Sequence, residues 1–292
     1  MARYEEDSVV EPLRGIIPIV YTPFDEVGNI DEEDARRLVD QLIQAGTHGL
    51  AATGNASEAG KMTVEERKWL ADVVIDQARG RVPVIVGTSA GDTDTAVELS
   101  RHAEQAGAKA VFVTPLPSGS NDAAVRAHFG AVARAVNIPI MVQHATIPLS
   151  VDQVVALSRE FDNVRYVKEE ALNVSGHLIT EILARAEGRL EVFSGGQFLL
   201  DELNRGVVGA IPGSICVADL STVYNLFRQG DRVGARRAYD HCLPLLYARR
   251  QAPLLWAKEV LRRDGVFTRP LMRLPNDQVM DELFALKEKG FT

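Results

Sequence analysis

The chain has 292 residues, 46% of them hydrophobic and 25% charged, with a formal net charge of −8. That is the make-up of a folded domain long enough for two domains or one large α/β barrel. An acidic balance without any basic cluster argues against nucleic acid or an anionic membrane surface as partner, and no apolar run approaches the ~20 residues that cross a bilayer.

The first ten residues are polar and acidic, and they read as neither a signal nor a transit peptide. The two cysteines, Cys216 and Cys242, lie in apolar stretches and match no metal-ligand spacing. They read as buried free thiols of a cytoplasmic protein.

Apolar β-like runs then alternate with amphipathic helical ones, eight times over. Leu13 to Thr22 is the first strand, and Asp31 caps a helix of apolar period three to four that stops at Gly46. His48 to Thr53 is the second strand. An unusual loop follows it, then a helix from Thr63 to Arg79, with Thr63 and Glu66 at capping-box spacing. Val82 to Thr88 is the third strand, with a helix from Asp92 to Gly107; Lys109 to Thr114 is the fourth, with a helix from Asn121 to Val136. Ile138 to Gln143 is the fifth, and Ser150 caps the helix to Phe161. Val164 to Lys168, Leu190 to Ser194 and Val208 to Ile211 complete the strands, with helices near 174–186 and 198–205 between them. Helices over 218–229, 231–249, 253–263 and 276–289 close the chain.

Eight strand–helix units of roughly 25–30 residues predict a (β/α)8 barrel, a TIM barrel. A doubly wound open sheet would show fewer strands and a glycine fingerprint after the first, and none follows Thr22. The division predicted is a tail over 1–12, a barrel over 13–230 and a C-terminal helical extension over 231–292.

Barrels of this kind draw their chemistry from strand C-termini and the loops just beyond. That rule selects Thr22, Asn55 to Glu58, Thr88 and Ser89, Thr114, Gln143 and His144, Lys168 to Glu170, Ser194 to Gln197, and Gly213 to Ile215. Lys168 is the one lysine in that set. A lysine stripped of water holds its proton less tightly, and a free amine can attack a ketone to form a Schiff base. The plainer alternative is a strand-end lysine with its tip in water. His48, His102, His128, His177 and His241 show no metal-ligand spacing, and no metal is expected.

Several segments resemble the dihydrodipicolinate synthase/N-acetylneuraminate lyase family. They are Gly15 to Phe24 with Gly28 to Asp31, Gly46 to Gly49, Gly54 to Glu58 before Met62 and Thr63, and Val86 to Thr88. Thr114–Pro115, Val167 to Glu169, Ser194–Gly195 and Gly209 to Ser214 continue the match, in one register from about residue 13 to 230. The resemblance implies a class I lyase on a (β/α)8 barrel, commonly a homotetramer, acting on pyruvate or a larger 2-oxo acid with no cofactor. It makes Lys168 the imine-forming lysine.

The departures narrow the expectation. Gly54-Asn55-Ala56-Ser57-Glu58 stands where family aldolases and synthases usually carry Gly-Thr-Thr-Gly-Glu. Gln143 stands where they usually carry a relaying tyrosine, and His144 where they commonly have asparagine. The synthase branch's further tyrosine falls at Leu116–Pro117, and its arginine is missing from His144 to Leu149. The resemblance is therefore nearest to 2-keto-3-deoxy-sugar-acid dehydratases of the 2-keto-3-deoxyarabonate type, which also carry an acidic residue two places after the lysine, here Glu170.

His144, Glu170 and Glu58 are the candidate general acids or bases, a histidine because it changes charge near neutrality without special help. Side-chain alternation lets only one of Glu169 and Glu170 face the pocket. Backbone N–H groups of the loop Gly54 to Ser57, Ala56 included, and the side chains of Asn55 and Ser57 are expected to bind the substrate carboxylate, with Glu58 shaping that loop at the substrate and Ser194, Gly195, Gly213, Ser214 and Ile215 on the far side. A pyruvate-dependent aldolase and a non-catalytic ligand-binding barrel are the competing readings.

Overall fold

A computed structural model describes residues 12–117, 121–145, 149–171, 175–251 and 254–273. The strands are β1 (Gly15–Ile16), β2 (Leu50–Ala52), β3 (Val84–Gly87), β4 (Ala110–Val113), β5 (Ile140–His144), β6 (Val164–Glu169), β7 (Glu191–Ser194) and β8 (Gly209–Ala210). All pair in parallel, in the order β1-β8-β7-β6-β5-β4-β3-β2. The ring closes through an Ile19–Ala51 bridge, with Ala51 donating to the Pro18 carbonyl and Val20 to the Ala51 carbonyl, both at 2.9 Å. This is the (β/α)8 barrel the sequence predicts.

The first strand is shorter than the predicted Leu13 to Thr22. Its bonding to β8 nevertheless runs on past Ile16, the Ile17 N–H donating to the Ala210 carbonyl at 2.9 Å and the Ile19 N–H to the Pro212 carbonyl at 2.8 Å, while Pro18 has no N–H to give. At the β1–β8 seam a Cβ on Gly209 would lie 2.0 Å from the Gly15 carbonyl oxygen, so only glycine lets the strands meet.

Around the strands lie α1 (Glu32–Gln44), α2 (Val64–Ala78), α3 (Thr93–Ala106), α4 (Asp122–Ala135), α5 (Val151–Glu160), α6 (Ser175–Arg185), α7 (Leu199–Arg205) and α8 (Val217–Arg228). The predicted starts have a physical cause. Asp31, Asp92 and Ser150 each accept the N–H of the residue three places on, and Thr63 and Glu66 form a reciprocal capping box. Each such cap is worth about 1 kcal/mol. Then come α9 (Arg232–Gln251), which packs mainly on α8 and contains Pro244, and α10 (Leu254–Arg263). The helix expected over 276–289 lies outside the described residues. No helix among the described residues is long and apolar enough to cross a membrane.

Strand alternation divides the apolar residues into two cores. Ile19, Ile85, Phe112, Met141, Tyr166 and Phe193 fill the barrel, while Ile140, Val142, Val167 and Val192 face outward into the layer shared with the helices. This parity decides which way every strand-end side chain points.

Candidate active site

Lys168 follows the parity of Tyr166 and so points into the barrel, above the layer of packed side chains. It is only 2% exposed, and its Nζ lies 2.8 Å from Glu170 Oε2, the next inward residue, one place past the end of β6. Gln143, paired with Lys168 across β5 and β6, donates its Nε2 to Glu170 Oε1 at 2.7 Å. Lysine, glutamate and glutamine thus form one connected group.

The group opens on a cavity of about 550 Å3. Lys168, Glu170, Ala56, Gly195, Gly213 and Ile215 line it, with Gln197, Phe198 and Pro212 from the loops after β7 and β8. Leu243, Leu246 and Tyr247 of α9 add an apolar wall. Gly213 has to be glycine, since a Cβ there would come within 1.9 Å of the Tyr21 hydroxyl. Sequence reasoning missed the α9 residues. Their i, i+3, i+4 spacing was visible, but it marks only an apolar helix face and gives no address on the barrel.

Several expected site residues are placed differently. His144 shares the parity of Val142, not of Gln143, and its buried ring lies on the outer face of β5 with Nδ1 against Glu169 Oε2. It does not line the cavity. Between the two glutamates, Glu170 is the one that faces Lys168.

Glu58, with a left-handed φ of 60°, turns away to the C-terminal extension. Its carboxylate accepts from Lys258 Nζ, from Lys61 Nζ at 3.2 Å and from the Arg273 N–H at 3.0 Å. Lys258 is fully buried, also donates to the Leu271 carbonyl at 2.8 Å and sits 4.7 Å from the centre of the Phe24 ring. Burial pushes the Lys258 ammonium down to about 8, against the pull of Glu58.

The three serines hydrogen-bond to neighbouring polar groups of the protein and do not line the cavity. Ser57 Oγ donates to the Val20 carbonyl at 2.6 Å and accepts the Gly54 N–H. Ser214 Oγ donates to the Ile19 carbonyl at 2.6 Å. Ser194 Oγ donates to Glu202 Oε2 at 2.7 Å and accepts the Gly196 N–H at 3.1 Å. Asn55 is exposed, and of its loop Ala56 lines the cavity. Burial pushes the Glu202 carboxyl up to about 7, opposed by the Ser194 hydroxyl and the Phe198 N–H. Among the described residues, no three His, Cys, Asp or Glu side chains gather as a metal site.

The arrangement can supply a nucleophilic amine, a carboxylate in proton-transfer reach of it and an amide that holds the carboxylate. Comparison with known proteins gives the family. The sequence model of the Dihydrodipicolinate synthetase family matches residues 12–288. A 4-hydroxy-tetrahydrodipicolinate synthase of Syntrophobacter fumaroxidans is 32% identical over 80% of this chain and 82% of its own. An L-2-keto-3-deoxyarabonate dehydratase of Azospirillum brasilense is also 32% identical, over 90% and 88%. Among solved structures, a prophage protein of the dihydrodipicolinic acid synthase family from E. coli K12, in complex with pyruvate, superposes with a TM-score of 0.83 at 26% identity, covering 94% and 98% of the two chains. The chain belongs to the dihydrodipicolinate synthetase family.

Proposed function

We propose that this lyase works through an imine on Lys168 and dehydrates a 2-keto-3-deoxy sugar acid of the 2-keto-3-deoxyarabonate type. The observation that carries the reading is the Lys168–Glu170–Gln143 group on the cavity, with Glu170 Oε2 2.8 Å from the amine. Glu170 takes the proton of the Lys168 ammonium, and the freed amine adds to the C2 ketone as that proton passes to the carbonyl oxygen. Glu170 then takes a proton from the new ammonium and gives it to the C2 hydroxyl so formed, so one water leaves and the iminium forms.

The iminium draws electrons from C3. Glu170 takes a C3 proton to give the enamine, which expels the C4 hydroxyl as water with that same proton. Proton shifts from C5 and its hydroxyl to C3 and C4 leave an aldehyde at C5. Hydrolysis then frees Lys168, and the net change is loss of one water. The N–H groups of Asn55 and Ala56 open a helical turn, where the first N–H groups have no partner within the turn. They are our candidates for holding the substrate carboxylate, in place of the serine hydroxyl.

Support for dehydration comes from Gln143 at the strand-five end and from the Azospirillum dehydratase, which aligns over more of this chain than the Syntrophobacter synthase does. The pyruvate complex of the E. coli relative favours a second reading, an aldolase in which C3–C4 cleavage yields the same type of enamine. A panel of 2-keto-3-deoxy acids separates the two. Dehydration yields a semialdehyde with all carbons retained, whereas pyruvate plus a free aldehyde from the best substrate would replace this reading with the aldolase.

A further inference from the structure

One rung beyond Gln143 and Lys168, β5 and β6 carry a second pair on their opposite face, His144 and Glu169. Both side chains are buried and neither lines the cavity. His144 Nδ1 meets Glu169 Oε2, and with the carboxylate as acceptor Nδ1 carries the proton. The other oxygen, Oε1, accepts the N–H of Ala171 at 2.8 Å. Between them, the N–H of Glu170 donates to the His144 carbonyl at 3.0 Å. The peptide groups before and after Glu170 are therefore both tied down, the second by the Glu169 carboxylate that His144 holds.

Such a pair is an expensive way to gain stability. Well-packed apolar residues at a buried ion-pair site are often as stabilising or more so. His144 Nε2 moreover has no partner among the described residues, and an unpaired buried polar atom is itself destabilising. What the pair adds over apolar packing is direction. It fixes where the chain turns after Glu170, and so where the Glu170 Cα–Cβ bond points.

We infer that His144 and Glu169 are positioning residues that aim the Glu170 carboxylate at the Lys168 amine, through the backbone of residues 169–171. The inference rests on the imine reading, in which Glu170 is the base. It also replaces the expectation that His144 moves the proton itself.

Pyruvate serves as the probe for a test in two parts. Borohydride trapping counts the sites that form an imine, and NMR in D2O follows exchange of pyruvate C3 hydrogens for deuterium, which needs the base as well. His144→Asn puts a donor where Nδ1 is, His144→Gln puts it where Nε2 is, and His144→Leu puts none. At saturating pyruvate, exchange per trapped site should fall about tenfold or more in the Gln and Leu variants and stay within about threefold in Asn. The pyruvate concentration for half-maximal trapping should move by less than about threefold in all of them. Should the Leu variant not fold, the Asn–Gln contrast carries the test alone. Unchanged exchange per trapped site in His144→Gln, or equal losses in Asn and Gln, overturns the inference and leaves a role in folding only. A wild type that is trapped but does not exchange overturns it by removing Glu170 as base. No trapped adduct in the wild type overturns the imine reading, and this inference with it.

Discussion

Two buried lysines sit near the mouth of this barrel, each against a glutamate, and their surroundings differ in the way that separates chemistry from construction. Lys258 is enclosed by Glu58, the Leu271 carbonyl and the Phe24 ring, and Glu58 is held in turn by Lys61 and the Arg273 N–H. Lys168 meets Glu170, and both line the cavity. A saturated buried pair ties the loop after β2 to the C-terminal extension. A pair with one side open can trade its proton with a ligand. Burial of a lysine alone does not distinguish the two; what lies on its remaining side does.

The two lysines part most widely when each is removed, and the larger effect belongs to Lys168. Lys168→Ala should lower turnover by on the order of 10⁵-fold, as removal of a covalent nucleophile does, while thermal unfolding shows no loss of stability. A variant with more than about a tenth of wild-type turnover would mean the nucleophile lies elsewhere. Glu170→Gln keeps the shape and removes the base, so kcat should fall about 10²–10⁴-fold while borohydride still traps an adduct.

The other pair should respond in the opposite currency. Lys258→Met leaves the Glu58 carboxylate buried without its main partner, and denaturant unfolding should show a loss of about 3–5 kcal/mol. Folded Lys258→Met should still form the Lys168 adduct, which removes any covalent role for Lys258.

A smaller effect tests the loop after β7. The Glu202 carboxyl is raised to about 7 from an ordinary 4.5, so folding favours its protonated form. The stability this contributes is complete below about 4.5 and is lost as pH rises to about 7. Glu202→Gln should therefore gain on the wild type across that window, by on the order of 3 kcal/mol at most, and the gain should level off above it. Parallel stability curves for the two proteins would refute the assignment.

The strand count and the strand-end rule made the barrel and Lys168 legible, because both depend on local periodicity. The same alternation separates Glu170 from Glu169. Applied one residue further along β5, it would also have turned His144 outward, but the strand was read as ending at Gln143 when it runs to His144. Ser57, Ser194 and Ser214 were misread for a different reason. A small hydroxyl at a turn reaches nearby polar groups before it reaches a ligand, and sequence position does not reveal which. The wall from α9 and the Glu58–Lys258 pair, 200 residues apart in sequence, left no local signal at all. Part of the loops between Leu116 and Ser120 and between His144 and Leu149 lies outside the described residues.

The central claim, that Lys168 carries the covalent intermediate, is tested most directly by mass spectrometry after incubation with pyruvate and borohydride. One reduced pyruvyl adduct per chain is expected, on the peptide containing Lys168, retained in Lys258→Met and lost in Lys168→Ala. No adduct in the wild type, or an undiminished one in Lys168→Ala, would contradict it.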